Sequence, residues 1–488
     1  MNKVTPGTRR PLHGVDQTRR IEQTATQVLP AHTLMQRAGL AVARLALAIA
    51  PHAQRIWIAC GPGNNGGDGL EAAIHLQRWG KTVVVTWLGA AESAPADTVA
   101  ASLRLQQAEV VIEAAPNGDF DLCIDALLGI GSQLREPQGL MADWIRQINA
   151  SGAPVLSVDL PTGLHADTGQ TTAVHVDASH TLSLLTLKPG LFTAQGRDAA
   201  GTVWLDTLGL APDALTALAP TAYLNAQPIN LIRPHASHKG SYGDVAVIGG
   251  APGMTGAALL AGTAALHAGA GRVLVGLLDD HTLTVDVRHP ELMLRPIQTL
   301  NFSAMTVVCG CGGGQPVAAV LSEVLSSPAP VVLDADALNV IATDNALQAA
   351  VRARSTRKAV TVLTPHALEA ARLLGQTALA VQSDRLTAAQ TLAQRFACTV
   401  VLKGSGSIIA SPDQIPVINP TGNGRLASAG TGDVLAGMVG AQLAAGKTGF
   451  DAACQAVYQH GALADTWPPG IPLTAQLLAL GRCDTTYH

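Results

Sequence analysis

Gly61-Pro62-Gly63-Asn64-Asn65-Gly66-Gly67-Asp68-Gly69 lies between an apolar run, Arg55–Cys60, and a helical pattern that begins near Gly69 and ends at Trp79. A short apolar run, then glycines, then helical periodicity reads as a βα turn of a parallel sheet. Ligands of such sheets bind at the carboxyl ends of the strands. Glycines let backbone amides approach an anion, and the helix N-terminus adds partial positive charge. Asp68 is placed to cap the helix. No Gly-Lys-Ser/Thr follows, so the loop is not a Walker A motif. The glycine frame is not Gly-x-Gly-x-x-Gly either, so a generic dinucleotide fold is not implied.

The alternation continues outward. Strands are expected at Thr82–Leu88, Asp121–Ala126, Pro154–Leu160 and Thr181–Leu187, with helices at Ala31–Ala50, Asp97–Gln107 and Leu140–Ala150. The pattern fades near Ala211 into an Ala-, Leu- and Pro-rich stretch, then restarts. Later strands are expected at Asp244–Ile248, Arg272–Leu277, Thr306–Cys309, Val331–Asp334, Val360–Leu363 and Thr399–Leu402. Helices are expected at Thr255–His267, Pro316–Leu325, Ala367–Leu374, Asp384–Phe396, Thr431–Ala445 and Asp451–Trp467. The reading is α/β, with two doubly wound domains, 1–227 and 228–488. The first carries a Rossmann-like sheet.

Composition narrows the function. With 48% hydrophobic and 14% charged residues, the 488-residue chain is no disordered protein. A net charge of −4 argues against nucleic acid as a partner. The 49 glycines outnumber the aromatics (Phe 5, Trp 6, Tyr 4), so ligand recognition should rest on backbone amides. Seven irregularly spaced cysteines fit a reducing cytoplasm better than a disulfide framework. The polar N-terminus has no signal-peptide pattern, and no apolar run is long enough to span a membrane.

Two further strand ends carry acids beside glycine: Asp125-Ala-Leu-Leu-Gly-Ile-Gly131 and Asp159-Leu-Pro-Thr-Gly163. Both fall on the edge that bears Gly61–Gly69. Hard oxygen ligands there suit a group I or II cation, and a carboxylate beside a bound substrate could instead move a proton. A helix cap or loop hydrogen bonder is the plainer use of either acid.

Leu34–Gly39, Gly61–Gly69, Asp125–Gly131 and Val158–Gly163, in that order, resemble the N-terminal epimerase domain of the NAD(P)H-hydrate repair enzymes. The resemblance covers nearly all of residues 1–225. It implies that Asn64, Asn65, Gly66, Gly67, Asp68, Gly129, Ile130, Gly131, Ser132 and Arg135 bind the hydrated nicotinamide nucleotide. It also implies that Asp159 is the acid at the substrate and that Asn65, Asp125 and Thr162 hold K+. One departure is Gly129–Arg135, shorter than the family's usual loop, which leaves its proton-moving partner unassigned.

The second half holds a sharper signal. Asn419–Gly424 leads into Ala429-Gly-Thr-Gly-Asp433, and a helix follows at once. Gly430, Thr431 and Gly432 place amides at a helix N-terminus, and Asp433 falls in the first turn beside that anion hole. Amides for phosphoryl charge and a carboxylate for an O–H proton are what transfer to a hydroxyl needs. Lys403-Gly-Ser-Gly-Ser407 ends a strand with glycines and a cation, in the manner of a phosphate or ribose cradle or of a plain hairpin turn. Gly249–Gly256 and Thr364-Pro-His366 belong to the same edge.

That order resembles the ribokinase-like superfamily and, more closely, the ADP-dependent NAD(P)H-hydrate dehydratase domain, over about residues 230–480. The resemblance places Lys403, Gly404, Ser405, Gly406, Ser407 and Gly432 at the adenine nucleotide. It places Ala257, Gly312, His366 and Asp433 at the hydrate. Cys311 stands where the family usually has proline, and Ala367-Leu-Glu369 where Pro-Gly-Glu is common. The function implied is repair of hydrated nicotinamide nucleotides, NADHX and NADPHX. The R and S forms would be epimerised, and the S form dehydrated with ADP as co-substrate and Mg2+ as its candidate companion. A homo-oligomer with small-molecule partners is expected. The alternative is a ribokinase-like kinase with an N-terminal nucleotide-binding regulatory module.

Overall fold

The computed structural model describes residues 1–130, 135–228, 233–279 and 283–481. Contacts group the chain into two units: Met1–Thr5 with Pro11–Ala222, and Pro6–Arg10 with the residues from Tyr223 onward. The change at Ala222 comes a few residues before the expected 228, for a local reason. Tyr223 and Leu224 pair in parallel with Val417 and Ile418. Asn225 then donates from its amide group to Asn419 Oδ1 (3.0 Å) and the Cys454 carbonyl (2.8 Å).

In the first unit, eight strands run in the order Asn2–Lys3, Thr202–Asp206, His180–Leu184, Val155–Val158, Leu122–Ala126, Arg55–Cys60, Thr82–Trp87 and Ile112–Glu113. All neighbours are parallel except the first pair. The two-residue alternation of a strand sends Ile56, Ile58 and Cys60 into one core and Trp57 and Ala59 into the other. Helices Thr33–Ile49 and Asn64–Arg78 supply the first core, and Trp144, Ile145 and Ile148 of helix Gly139–Ala150 supply the second. From Arg55–Cys60 the chain winds first toward Thr82–Trp87, then returns to Leu122–Ala126 on the other side. The crevice at this reversal is where doubly wound sheets bind ligands.

Boundaries around the crevice depart from the sequence reading. The helix expected from Gly69 starts at Asn64, with Gly63 as its cap, so Asp68 is inside the helix and does not cap it. Glycine's low helix propensity hid this start. The glycines serve packing: a Cβ at Gly66 would lie 1.9 Å from the Gly61 carbonyl oxygen, and one at Gly69 would lie 2.6 Å from the Ala126 Cβ. A strand expected to reach Leu160 ends at Val158, because Asp159 turns into the left-handed region (φ 65°). Helix Val15–Val28 was not anticipated, being polar apart from Val15, Ile21, Ala25 and Val28.

In the second unit, the strands run Met293–Leu294, Arg272–Leu277, Asp244–Gly249, Thr306–Cys309, Val331–Leu333, Thr361–Leu363, Thr399–Leu402, Ile408–Ser411 and Gln414–Ile418. They are parallel as far as Thr399–Leu402, which forms an antiparallel hairpin with Ile408–Ser411. Lys403–Ser407 is therefore the hairpin loop. The winding reverses at Asp244–Gly249, between Arg272–Leu277 and Thr306–Cys309. Helices Thr255–His267 and Thr431–Ala444 pack so closely that a Cβ at Gly437 would lie 2.0 Å from the Ala261 carbonyl oxygen. Among the described residues, no helix is long and apolar enough to cross a membrane.

Candidate active sites

The crevice of the first unit opens into a cavity of about 630 Å³. Asn64, Asn65, Asp68, Gly129, Ile130, Arg135 and Asp159 line it, as do Glu22 and Lys188, which sequence reading missed. Gly66 and Gly67 are not on its wall; Gly67 packs against Met35, 2.4 Å from where a Cβ would sit. Gly131 and Ser132 lie outside the described residues.

Asp159 is held by three donors. Its Oδ1 accepts from Lys188 Nζ and from the Leu184 amide (3.2 Å), and its Oδ2 accepts from the Ile130 amide (3.3 Å). Lys188 is completely closed to solvent. The cavity is rich in acids: burial, then Asp159 and Glu22, hold the Asp68 carboxyl well above the carboxylate range. Burial, then Asp159, also raises Glu22.

Asp125 and Thr162 lie behind this wall, fully buried. The Asp125 carboxylate accepts from Thr162 Oγ1 (2.6 Å), Ser157 Oγ (2.8 Å), the Thr162 amide (2.9 Å) and the Leu127 amide (3.2 Å). Burial raises its pKa, and these bonds oppose the rise. The Leu128 amide donates to Thr162 Oγ1 (3.0 Å). Among the described residues, Asn65 Nδ2 is shielded from solvent and has no hydrogen-bond partner. A Cβ on Gly129 would lie 3.0 Å from Asn65 Oδ1 and 3.3 Å from Asp159 Oδ2, so this glycine keeps the two side chains close.

In the second unit, His366, Leu368, Lys403, Gly404, Thr431 and Gly432 line one cavity of about 700 Å³. Lys403 Nζ donates to Asp334 Oδ1 (2.6 Å), to which Thr364 Oγ1 also donates (2.8 Å). A Cβ on Gly432 would lie 3.2 Å from Lys403 Nζ, so the helix N-terminus and the cation converge. His366 caps helix Ala367–Leu374: its Nδ1 accepts from the Leu368 and Glu369 amides (3.1 and 3.2 Å). Burial, then Lys403, lowers its pKa. Ser405, Gly406 and Ser407 are not on the wall; Ser407 Oγ closes the hairpin loop onto the Gly404 carbonyl (3.2 Å).

Asp433 sits in the first turn of helix Thr431–Ala444. Burial, then the charge of Asp334, pushes its carboxyl up to about 7, and a hydrogen bond from Cys311 opposes the rise. Ala257 and Gly312 face each other at the end of the central strands, where a Cβ on Gly312 would lie 2.8 Å from the Ala257 Cβ. Asp334 was not singled out in sequence, and Cys311 only as a departure from the family's glycine run. A strand-end acid before Ala335-Asp336 and a cysteine among glycines carry no distinguishing pattern.

Residues 245–479 match the family model for NAD(P)H-hydrate dehydratase, and residues 31–190 match that for the YjeF-related protein N-terminus. The bifunctional NAD(P)H-hydrate repair enzyme Nnr of Escherichia coli is 36% identical over 92% of this chain and 88% of its own length. The chain belongs to the bifunctional NAD(P)H-hydrate repair enzyme family. The family's second activity also occurs alone: an ADP-dependent (S)-NAD(P)H-hydrate dehydratase of Neisseria meningitidis is 42% identical over 51% of this chain and 84% of its own. A crystal structure of the ADP/ATP-dependent NAD(P)H-hydrate dehydratase of Bacillus subtilis, co-crystallised with ATP/Mg2+, is 32% identical, with a TM-score of 0.46 over 51% of this chain and 91% of that one.

Proposed function

We propose that the first unit interconverts the R and S epimers of NAD(P)H hydrate and that the second dehydrates the S form at the expense of ADP. Water leaves poorly near neutral pH. Phosphoryl transfer from ADP to the hydroxyl, then loss of phosphate, would give NAD(P)H, AMP and phosphate. The observation that carries this reading is Asp433, a carboxyl raised to about 7 in the first turn of a helix whose N-terminus meets Lys403. A base with a pKa near the working pH can take the hydroxyl proton, and amides with a lysine can hold phosphoryl charge. Lys403, Gly404 and Gly432 form the ADP side of this site, and His366 its rim.

In the first unit, Asp159 is the proton-handling group, and Asn64, Asn65, Asp68, Gly129, Ile130 and Arg135 surround the substrate. The buried oxygens of Asp125 and Thr162 suit a hard cation such as K+, with the side-chain oxygen of Asn65 as the third ligand of this reading. The ion would offset the buried Asp125 charge and fix the loop at Leu128. Cys311, Asp334 and Asp433 bring ligand atoms within 4.8 Å of one another. That set includes a thiol and does not suit Mg2+, so no step runs through it.

The test is incubation of mixed hydrate epimers with ADP, following nicotinamide absorbance. Full recovery is expected from the wild type. Recovery of the S fraction alone is expected from Asp159→Asn, and none from Asp433→Asn. A stable phosphate ester in place of NAD(P)H would overturn the reading.

A further inference from the structure

We infer that Lys188 is a positioning residue for the epimerisation, holding Asp159 Oδ1 so that Oδ2 is presented to the cavity. The inference rests on the reading of Asp159 as the proton-handling group. An ammonium has three N–H groups. Those of Lys188 meet three acceptors inside the protein: Asp159 Oδ1, the Leu184 carbonyl (2.8 Å) and Ser183 Oγ (3.3 Å). None remains for a substrate, although the side chain borders the cavity. Lys188 therefore acts through Asp159.

The backbone around the pair supports this role. Asp159 and Leu185 both occupy the left-handed region, φ 65° and 62°, which non-glycine residues rarely adopt. Such conformations persist where surrounding bonds over-determine them. Here the Asp159 amide donates to the Leu182 carbonyl (2.8 Å), and the Leu184 amide returns to Asp159 Oδ1. Lys188 is placed by the 3₁₀ turn Pro189–Phe192, which packs so tightly that a Cβ on Gly190 would lie 2.2 Å from the His165 carbonyl oxygen. The second oxygen, Oδ2, then points at Gly129 and Ile130, which line the cavity.

The pair is also an electrostatic necessity. Glu22 from helix Val15–Val28 and Asp68 from helix Asn64–Arg78 both feel the charge of Asp159, and Glu22 and His13 feel that of Lys188. Without Lys188, Asp159 would face this acidic surround with no counter-charge.

The experiment is a double-mutant cycle on the full chain, with ADP-dependent dehydration of the S hydrate as the internal control. Lys188→Met should lower the epimerisation kcat roughly 10²-fold, the scale of a misplaced catalytic group, with KM changed less than threefold. In Asp159→Asn the further change to Lys188→Met should cost less than threefold, because the partner is already gone. The neutral pair also keeps the test open if Lys188→Met alone fails to fold. A kcat within threefold of wild type in Lys188→Met overturns the inference, as does a second large loss on the Asp159→Asn background. Full epimerisation in Asp159→Asn would instead remove the reading on which the inference rests. Normal epimerisation kcat with a raised KM would make Lys188 a substrate contact and overturn the positioning role.

Discussion

Lys403 Nζ lies 2.6 Å from Asp334 Oδ1, and Asp334 is 1% exposed. The ammonium arrives from the hairpin loop after Thr399–Leu402, and the carboxylate from the end of Val331–Leu333, two strands away. Glu369 Oε2 stands 4.0 Å from the same nitrogen. Burial pulls the Lys403 pKa down, and Asp334 and then Glu369 more than reverse it, so the net shift is upward. The cation is thus fixed where the helix of Asp433 begins.

Removing that cation should damage stability and ADP binding together. Lys403→Met leaves two acids buried without their counter-charge, a loss of about 3–5 kcal/mol for a broken buried pair. Thermal unfolding of the second unit measures it. The KM for ADP should rise about 10–100-fold, the worth of a charge-assisted hydrogen bond. Lys403→Met with Asp334→Asn should recover much of the stability and little of the activity. An unchanged KM would remove Lys403 from the nucleotide site.

The pH dependence of dehydration follows from Asp433. Its carboxyl is raised to about 7 by burial and then by Asp334. The base form exists above that value, so the rate should climb with pH through about 7 and then level. Asp334→Asn removes a neighbouring negative charge and should move the climb to lower pH. For stability the sign is opposite. A carboxyl raised on folding contributes stability at low pH that is lost as pH rises through about 7. Asp433→Asn should therefore lose activity about 10²–10⁴-fold while gaining stability relative to wild type between pH 4 and pH 7. Parallel rate and melting profiles check both halves.

Much of this was legible in the sequence because strand-end chemistry is local. The runs Arg55–Cys60 and Thr399–Leu402 are strands, and the helix carrying Asp433 begins at Thr431 as read. What stayed hidden depends on tertiary pairing. Lys188 sits in Leu187-Lys-Pro-Gly190, an ordinary loop in sequence, and becomes notable through burial against Asp159. Asp334 reads as a strand end until Lys403 reaches it from a distant hairpin. Helix Val15–Val28, which brings Glu22 to the cavity, has too little apolar surface to stand out. The glycines of Gly61–Gly69 hid a helix start, because their packing role needs the neighbouring backbone to be seen.

That packing role separates two glycines three positions apart. A Cβ at Gly66 would lie 1.9 Å from the Gly61 carbonyl oxygen, whereas one at Gly63 meets nothing within 4 Å. Gly66→Ala must push backbone from backbone, and should cost the first unit about 1–3 kcal/mol or more. Gly63→Ala, at the helix cap, should stay within about 0.5 kcal/mol. Denaturant melts compare them directly. Equal melts would mean that the helix start at Asn64 is wrongly placed.

Thr162 offers a cleaner test of the cation than Asp125, because its replacement leaves the buried charge in place. Its hydroxyl donates to Asp125 Oδ1 at 2.6 Å and accepts from the Leu128 amide at 3.0 Å. Thr162→Val keeps the shape and removes both bonds. Asp125 keeps its three other donors, but the Leu128 amide loses its acceptor, which should cost the first unit about 1–3 kcal/mol. If Thr162 also supplies an oxygen to K+, wild-type epimerisation should rise with K+ more than with Na+ or choline. The half-saturating K+ concentration should then shift upward at least tenfold in Thr162→Val. Thr162→Ser restores the hydroxyl and should bring the K+ response back. A wild-type rate indifferent to K+, or an unaltered half-saturation in Thr162→Val, would leave Asp125 and Thr162 as a purely structural hydrogen-bond pair.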